Sequence, residues 1–388
     1  MLNALLIIFV LCAYGILHSY VVYPLWLIVS ASGKKKDSEQ FTLQDNLPSI
    51  GILMAAYNEE KVIGDKIASV FNTSYPLDKI TLYIGSDAST DRTDSIIDEY
   101  VRKYQQIKLV RFGGRTGKSG IINQLAANAP EEIFILTDAN VIFKQDTIFN
   151  LIRHFKNTKT AQVAANIIKV SPSNKGIASQ EKSYIALENK IKYYESVRWN
   201  IIMGAEGACY AIRKENYSPV PKNFYMDDFY ITLNVIEQGK EIVFDTDAVC
   251  NEDVPTQSQE EFKRKVRISI GNFQNLGRYK KLLFKLNGAA FAFWSHKVLR
   301  WLTPFFLISC FITSFILSYS YDIFIFFNAI QLLGLFSPVL DWLININFQP
   351  LRFISHFYLM NLALLKGFII YLGGVDSNVW QPTKRETN

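Results

Sequence analysis

The sequence predicts a mostly parallel α/β domain flanked on both sides by helices that cross a membrane. Three observations predict it. First, charge is sharply partitioned along the 388 residues. Positions 1–30 hold no Lys, Arg, Asp or Glu, positions 301–375 hold very few, and the stretch between resembles an ordinary water-soluble protein. Second, from Ser49 onward short apolar runs alternate with segments of helical periodicity, the pattern of βαβ units. Third, the polar residues that stand out follow those apolar runs closely, where ligands bind in such sheets.

Leu2 to Ser30 is an apolar run long enough to cross roughly 30 Å of hydrocarbon as one helix. A cleaved signal peptide fits less well, because no charged side chain precedes the run and it is long for that role. Lys34-Lys35-Lys36 follows it, and the positive-inside rule then places the next segment in the cytoplasm. This gives an anchor over 1–30, a polar linker over 31–47 and a soluble domain over 48–285.

Within that domain Ser49–Ala56 reads as a buried strand and Glu60–Phe71 as a helix. Ile80–Ser86 is a second strand and Asp91–Gln105 a helix. Ile107–Phe112 is a third strand, Ser119–Asn128 a helix and Ile133–Thr137 a fourth strand. Between 160 and 260 the pattern is less regular. Thr160–Val170 and Glu241–Cys250 read as strands and Gln180–Trp199 as an amphipathic helix. Lys280–Arg300 is basic and aromatic, which suggests an interfacial helix, placed at 286–300. Apolar stretches near 301–321, 323–345 and 351–374 form a C-terminal bundle over 301–375, followed by a tail over 376–388. Asp341 and Lys366 interrupt the last two stretches, and charged groups there face a bundle interior or water.

The net charge of +6 is mild and is attributed to Lys and Arg near the membrane rather than to nucleic-acid binding. The four cysteines, Cys12, Cys209, Cys250 and Cys310, form no C-x-x-C pair, so neither a disulfide framework nor a zinc site is expected.

Several clusters carry chemistry. Tyr57 and Glu59, just past the first strand, can hold a nucleoside by stacking and by hydrogen bonding; Asn58 between them fits a helix cap equally. Asp91 fits the cap of the following helix, whereas Asp87, at the end of the second strand, is a better ligand candidate. Gly113 to Ser119 (GGRTGKS) approaches a P-loop, but Phe112 stands where the first glycine is required. Lys118 at a helix start can still meet a diphosphate. Asp138 and Asn140 lie at an extended strand end and offer hard oxygen ligands for Mg²⁺ or Mn²⁺ shared with a diphosphate. A turn-forming Asp/Asn pair is the alternative. Asp227 and Asp228 sit between aromatics, where a desolvated carboxylate can act as a general base; acids at a helix N-terminus are the alternative. Arg264, Lys265 and Arg267 can clamp phosphate or serve as positive-inside charge.

Taken in order, these motifs resemble membrane-bound glycosyltransferase family 2, which includes bacterial exopolysaccharide transferases and the hyaluronan, chitin and cellulose synthases. The resemblance spans nearly the whole chain. It rests on Tyr57-Asn58-Glu59, the Asp87 turn, Gly117-Lys118 with Asn123, Asp138-Ala139-Asn140, Gly204 to Tyr210, Asp227-Asp228, Arg264 to Gln274 and the tail Trp380 to Arg385.

It implies a GT-A fold, that is, a Rossmann-like nucleotide-diphospho-sugar transferase domain. Tyr57, Glu59 and Asp87 would hold uridine, with Lys118 and Asp138 also in the donor site. Asp138 and Asn140 stand where the family has D-x-D, so Asn replaces the second acid of the metal site. Asp228 matches the base, with Asp227 replacing Glu, and Arg267 would stabilise the leaving diphosphate. Gly204, Glu206, Gly207 and Trp380 would face the acceptor.

The processive synthases carry Q-x-x-R-W. Here positions 264–268 read Arg, Lys, Val, Arg and Ile, so only the arginine is kept. The implied activity is inverting transfer from a nucleotide-sugar, UDP-linked by the resemblance, to a glycan or lipid-linked acceptor at the inner cell membrane, with polysaccharide assembly or export proteins as partners. The alternatives are a processive polysaccharide synthase, a membrane nucleotide-sugar hydrolase or nucleotidyltransferase, and a non-catalytic scaffold of a polysaccharide assembly complex.

Overall fold

The computed structural model describes residues 1–34, 38–170, 177–253, 258–344 and 348–375. They fall into two compact units, one over 30–256 and one formed by 1–29 with 258–375.

The first unit is built on one eight-stranded sheet. Its strands are β1 (Ile50–Ala56), β2 (Ile80–Ser86), β3 (Ile107–Arg111), β4 (Ile133–Thr137), β5 (Val141–Phe143), β6 (Thr160–Val170), β7 (Cys209–Arg213) and β8 (Glu241–Asp253). Their spatial order is β3-β2-β1-β4-β7-β6-β8-β5. β1 pairs in parallel with β2 and β4, and β2 with β3, as the βαβ pattern predicts. β7 then enters antiparallel between β4 and β6, β6 and β8 run parallel, and β5 closes the edge antiparallel to β8.

The chain leaves β1 toward β2 and β3, then returns to place β4 on the other side of β1. That reversal opens a crevice at the carboxyl ends of β1 and β4. Both strands are apolar and almost wholly buried, as strands covered on both faces must be. The core around them gathers Ile50, Ile52, Met54, Ile63, Ile67 and Ile135. Gly85 in β2 lets the helix Lys118–Asn128 lie close, because a Cβ there would run into Ile121.

The expected helices form, the first two trimmed to Ile63–Phe71 and Thr93–Lys103 and the third one residue longer, as Lys118–Asn128. The less regular region resolves into β6, the helix Ile177–Trp199, β7, the helix Asp227–Glu237 and β8. β5 and β7 have no counterpart among the strands read from the sequence. Each is five residues or fewer and antiparallel, so no alternating helix marks it.

Among the described residues of the second unit three helices are long and apolar enough to cross a membrane: Leu2–Ala31, Ile323–Leu343 and Gln349–Leu372. Leu2–Ala31 widens into a π-helical turn at His18–Val22. The first expected C-terminal stretch, near 301–321, is shorter than a span by itself. It forms Thr303–Leu317 and meets Gly288–Trp301 at a bend of 62°. Lys280–Arg300 is divided rather than continuous. A 3₁₀ turn covers Lys280–Phe284, and a new helix starts at Gly288, where the Asn287 side chain accepts the Ala290 N–H at 3.0 Å. Ser258–Tyr279 packs along Gln349–Leu372 in this unit.

Candidate active site

The crevice is lined by loops leaving β1, β2 and β4. After β1, Asn58 adopts a left-handed conformation at φ 53°. Its Oδ1 accepts the Thr90 N–H at 2.8 Å, joining the loops that follow β1 and β2. Glu59 is buried, and its N–H donates to Thr93 Oγ1 at 2.8 Å. Asp91 accepts the Thr93 N–H at 2.9 Å just ahead of the helix, which is a capping role.

Asp87 is buried at the end of β2. Its carboxylate accepts the backbone N–H groups of Thr116 at 2.5 Å and Gly117 at 3.1 Å, and pairs with Arg115 Nε at 3.1 Å. It therefore ties the Gly-rich loop to the sheet. The Arg115 guanidinium in turn lies 3.3 Å from the centre of the Tyr57 ring, so Tyr57, Asp87 and Arg115 form one stacked, charged wall.

Past β4, Ala139 is buried while Asp138 and Asn140 on either side are half-exposed, so both polar side chains leave the same face of the turn. Lys118 Nζ lies 2.6 Å from Asp138 Oδ1 and 3.9 Å from Asp227 Oδ2, and donates to the Gly207 carbonyl at 3.3 Å. Burial works against its charge, but Asp138, Asp227 and Asp228 outweigh it and hold the Lys118 pKa well above its ordinary value.

Met226, left-handed at φ 56°, turns the chain into the helix Asp227–Glu237, so both acids occupy its first turn. Asp228 Oδ2 accepts the Gly207 N–H at 2.7 Å, and its Oδ1 accepts the Phe229 N–H at 2.8 Å. Burial and the neighbouring Asp227 charge push the Asp228 carboxyl up to about 7, against the opposing pull of Lys118 and the two N–H donors.

Gly204 begins the adjoining loop at φ 101°, and a Cβ there would lie 2.9 Å from the Phe229 ring. Only glycine satisfies both conditions without strain. Glu206 pairs with the buried Lys192 at 2.6 Å. The structure thus brings together Lys118, Asp138, Asp227, Asp228 and Gly207. Arg267 lies on the helix Ser258–Tyr279 of the second unit. Trp380 lies outside the described residues.

The donor set fits a divalent cation bound partly by substrate. Among the described residues no group of three or more His, Cys, Asp or Glu converges on one point. Yet a cation, the Lys118 ammonium, already sits between the Asp138 and Asp227 carboxylates. One carboxylate plus an amide oxygen suits Mg²⁺ or Mn²⁺ that completes its shell with phosphate and water.

Sequence reading missed several residues here. Lys66, fully buried, bonds both flanks of the Asp138 turn. Tyr210 is buried with no hydrogen-bond partner for its hydroxyl, and burial together with Asp227 and Asp228 raises its pKa well above normal. The available signal for Lys66 was a lysine at a core position of an apolar helix, between Ile63, Ile67 and Val70.

Residues 51–218 match the protein family described as glycosyl transferase family 2. A protein of Bacillus subtilis described as probable glycosyltransferase YdaM is 24% identical over 250 residues, 62% of this chain and 59% of that protein. A poly-beta-1,6-N-acetyl-D-glucosamine synthase of Staphylococcus epidermidis is 28% identical over 294 residues, 71% of this chain and 70% of the synthase. Among solved structures, the mannosyltransferase PcManGT of Pyrobaculum calidifontis in complex with GDP-Man and Mn²⁺ superposes with a TM-score of 0.73 at 19% identity, over 96% of this chain and 99% of that one. That likeness bears out the expected GT-A fold. The chain spans about three fifths of the length of the Bacillus relative, at 59%.

Proposed function

We propose that this protein is an inverting glycosyltransferase that moves a sugar from a nucleotide-sugar to a hydroxyl of a glycan or lipid-linked acceptor, a reading supported by the match of residues 51–218 to glycosyl transferase family 2. The observation that carries the reading is Asp228. Its pKa near 7 matches a general base at neutral pH, and it sits beside a donor-side pair, Lys118 and Asp138.

In this reading the nucleoside lies against the wall of Tyr57, Glu59 and Asp87. Lys118 turns from Asp138 to the diphosphate and holds it by charge. Asp138 and Asn140 would hold Mg²⁺ or Mn²⁺, which supplies neutralisation of diphosphate charge when bound. The loop from Gly204 to Gly207 with Glu206 receives the acceptor, with Trp380 joining from the tail. Asp228 removes the acceptor proton as the hydroxyl attacks the anomeric carbon in line. The leaving diphosphate takes the electron pair of the broken bond, with Arg267 as a further counter-charge. One displacement inverts the anomeric centre, and no covalent intermediate is needed.

A second reading, processive polymer synthesis, is favoured by the likeness to the Staphylococcus epidermidis synthase over 71% of the chain. Against it, positions 264 and 268 hold Arg and Ile in place of the Gln and Trp of Q-x-x-R-W.

The test is sugar transfer by detergent-purified protein from a panel of UDP- and GDP-sugars, with Mn²⁺, Mg²⁺ or EDTA. Acceptor-stimulated release of one nucleotide, requiring metal, is expected, and product length separates single transfer from polymerisation. Donor hydrolysis indifferent to acceptor would point to a hydrolase instead. Asp228→Asn should lower kcat by about 10²-fold or more, the usual contribution of a general base, while donor binding persists. Retention of most activity would remove Asp228 from that role.

A further inference from the structure

Lys66 takes no part in the chemistry above, yet it is fully buried in the helix Ile63–Phe71. Its Nζ donates to Thr137 Oγ1 at 2.9 Å and to the Val141 carbonyl at 2.6 Å, and lies 3.4 Å from the centre of the Phe143 ring. Thr137 and Val141 are the residues immediately before and after the Asp138-Ala139-Asn140 turn. One side chain therefore grips the main-chain neighbourhood of that turn from both ends.

The link continues. The Thr137 hydroxyl donates to the Ala208 carbonyl at 3.0 Å, and the same carbonyl accepts the Asp138 N–H at 3.2 Å. Gly207, next in the chain, donates its N–H to Asp228. A continuous path of hydrogen bonds and the main chain of Gly207 and Ala208 thus joins Lys66 to both the Asp138 turn and the Asp228 carboxylate.

A buried ammonium is costly, and a hydrophobic side chain of similar volume often fills such a position with equal or greater stability. Burial indeed depresses the Lys66 pKa to about 8, even with the Cys209 and Cys250 thiols and Asp138 favouring its charge. What an apolar side chain cannot supply is the pair of directed donors.

We propose that Lys66 is a positioning residue, which holds Thr137 and Val141 so that Asp138 and Asn140 present their oxygens to a divalent cation and the donor diphosphate. The proposal rests on the reading of that turn as the donor site. It also takes a side between two opposed effects. As a nearby positive charge Lys66 disfavours a cation at Asp138, whereas as a brace it favours one, and the brace dominates.

Lys66→Met in the full-length protein tests this. Hydrogen–deuterium exchange should quicken about tenfold in peptides covering 136–143 and 204–209, the local opening of one cooperative segment, and stay unchanged in 80–86 of β2. Uniform acceleration, or none, overturns the proposal. Binding of UDP as a probe, with and without Mn²⁺, gives the functional arm. The metal-dependent gain in UDP affinity should fall by about tenfold, the lower end for residues that orient metal ligands, with metal-free UDP affinity unchanged. A gain that is undiminished or larger overturns it. Thr137→Val keeps its volume and cuts the same link from the other side, so it replaces Lys66→Met if that variant does not fold. A wild-type protein that binds no nucleotide sinks the donor-site reading, while the exchange arm still decides whether Lys66 holds the turn.

Discussion

Asp228 carries its proton further up the pH scale than an ordinary aspartate because burial strips water from its carboxylate and Asp227 stands beside it. The base form is therefore scarce below about pH 7 and abundant above it. The acid limb of kcat/KM should fall near pH 7 in the free enzyme. Asp227→Asn removes the like charge, so the limb should move to lower pH. A limb that stays put or moves up would show that Asp227 does not act on Asp228 through charge. The stability sign is the opposite of the usual carboxylate case. A folded pKa above the unfolded one adds stability at low pH that is lost as pH rises toward 7. A general base at Asp228 would thus be tuned at the expense of stability where it works. Lys118 stays protonated across this range, because the surrounding carboxylates hold its pKa high.

At the scale of elements, the turn Arg153–Lys156 and β8 are locked together by Asp245. This buried carboxylate lies 2.8 Å from Arg153 Nη2 and 2.6 Å from His154 Nε2, and accepts the Asp247 N–H at 2.7 Å. Burial alone would raise its pKa, but the bond to His154 and the charges of His154 and Arg153 outweigh it and hold the group below its usual range. The stability it adds is present above the ordinary aspartate pKa near 4 and is lost as pH falls through the depressed folded value. Asp245→Ala strands the buried His154 and leaves the half-buried Arg153 with Asp247 as its ion-pair partner, so stability should drop by about 3–5 kcal/mol, read from denaturant unfolding of the solubilised protein. A loss under about 1 kcal/mol, the level of an exposed pair, would mean that the network is looser than these distances imply. The parallel half of the sheet was legible in sequence because each strand is followed by a helix of different period. β7 was not, since its five residues Cys209–Arg213 are ordered by β4 on one side and β6 on the other; Tyr210 pairs with Leu136, 74 positions away, and with Ala164, 46 positions away.

At the scale of the whole molecule, apolar length alone leaves three spans, or four if the bent pair Gly288–Trp301 and Thr303–Leu317 crosses completely. The charged residues of the later helices have partners within their own unit. Asp341 lies 3.8 Å from Arg352, and Lys366 lies 5.8 Å from the centre of the Phe262 ring. If Lys34 is cytoplasmic, as the positive-inside rule predicts, four crossings would carry Trp380 outside, away from the soluble domain it is expected to serve. A re-entrant pair, one of the two arrangements that a 62° break between the helices allows, would keep it inside. Ser320→Cys should therefore resist a membrane-impermeant maleimide applied to intact cells and react once the cells are opened. Labelling from outside would establish a full crossing.

What the sequence determined alone was whatever one segment's composition decides. Membrane spans follow from length and apolarity, the parallel half-sheet from alternating periods, and Asp87, Lys118, Asp138 and Asp228 from their places at strand and helix ends. The tertiary structure decided what depends on distance between remote segments. It placed Lys118 between Asp138 and Asp227, set Asp228 against Gly207, gave Asp87 to the Gly-rich loop and Asn58 to Thr90, and buried Lys66 beneath Thr137 across 71 positions of chain. Periodicity reports which face of an element is buried. It is silent about which polar group from elsewhere meets that face, because hydrogen bonds and charge shifts fall off over a few ångströms of space, whatever the separation in sequence.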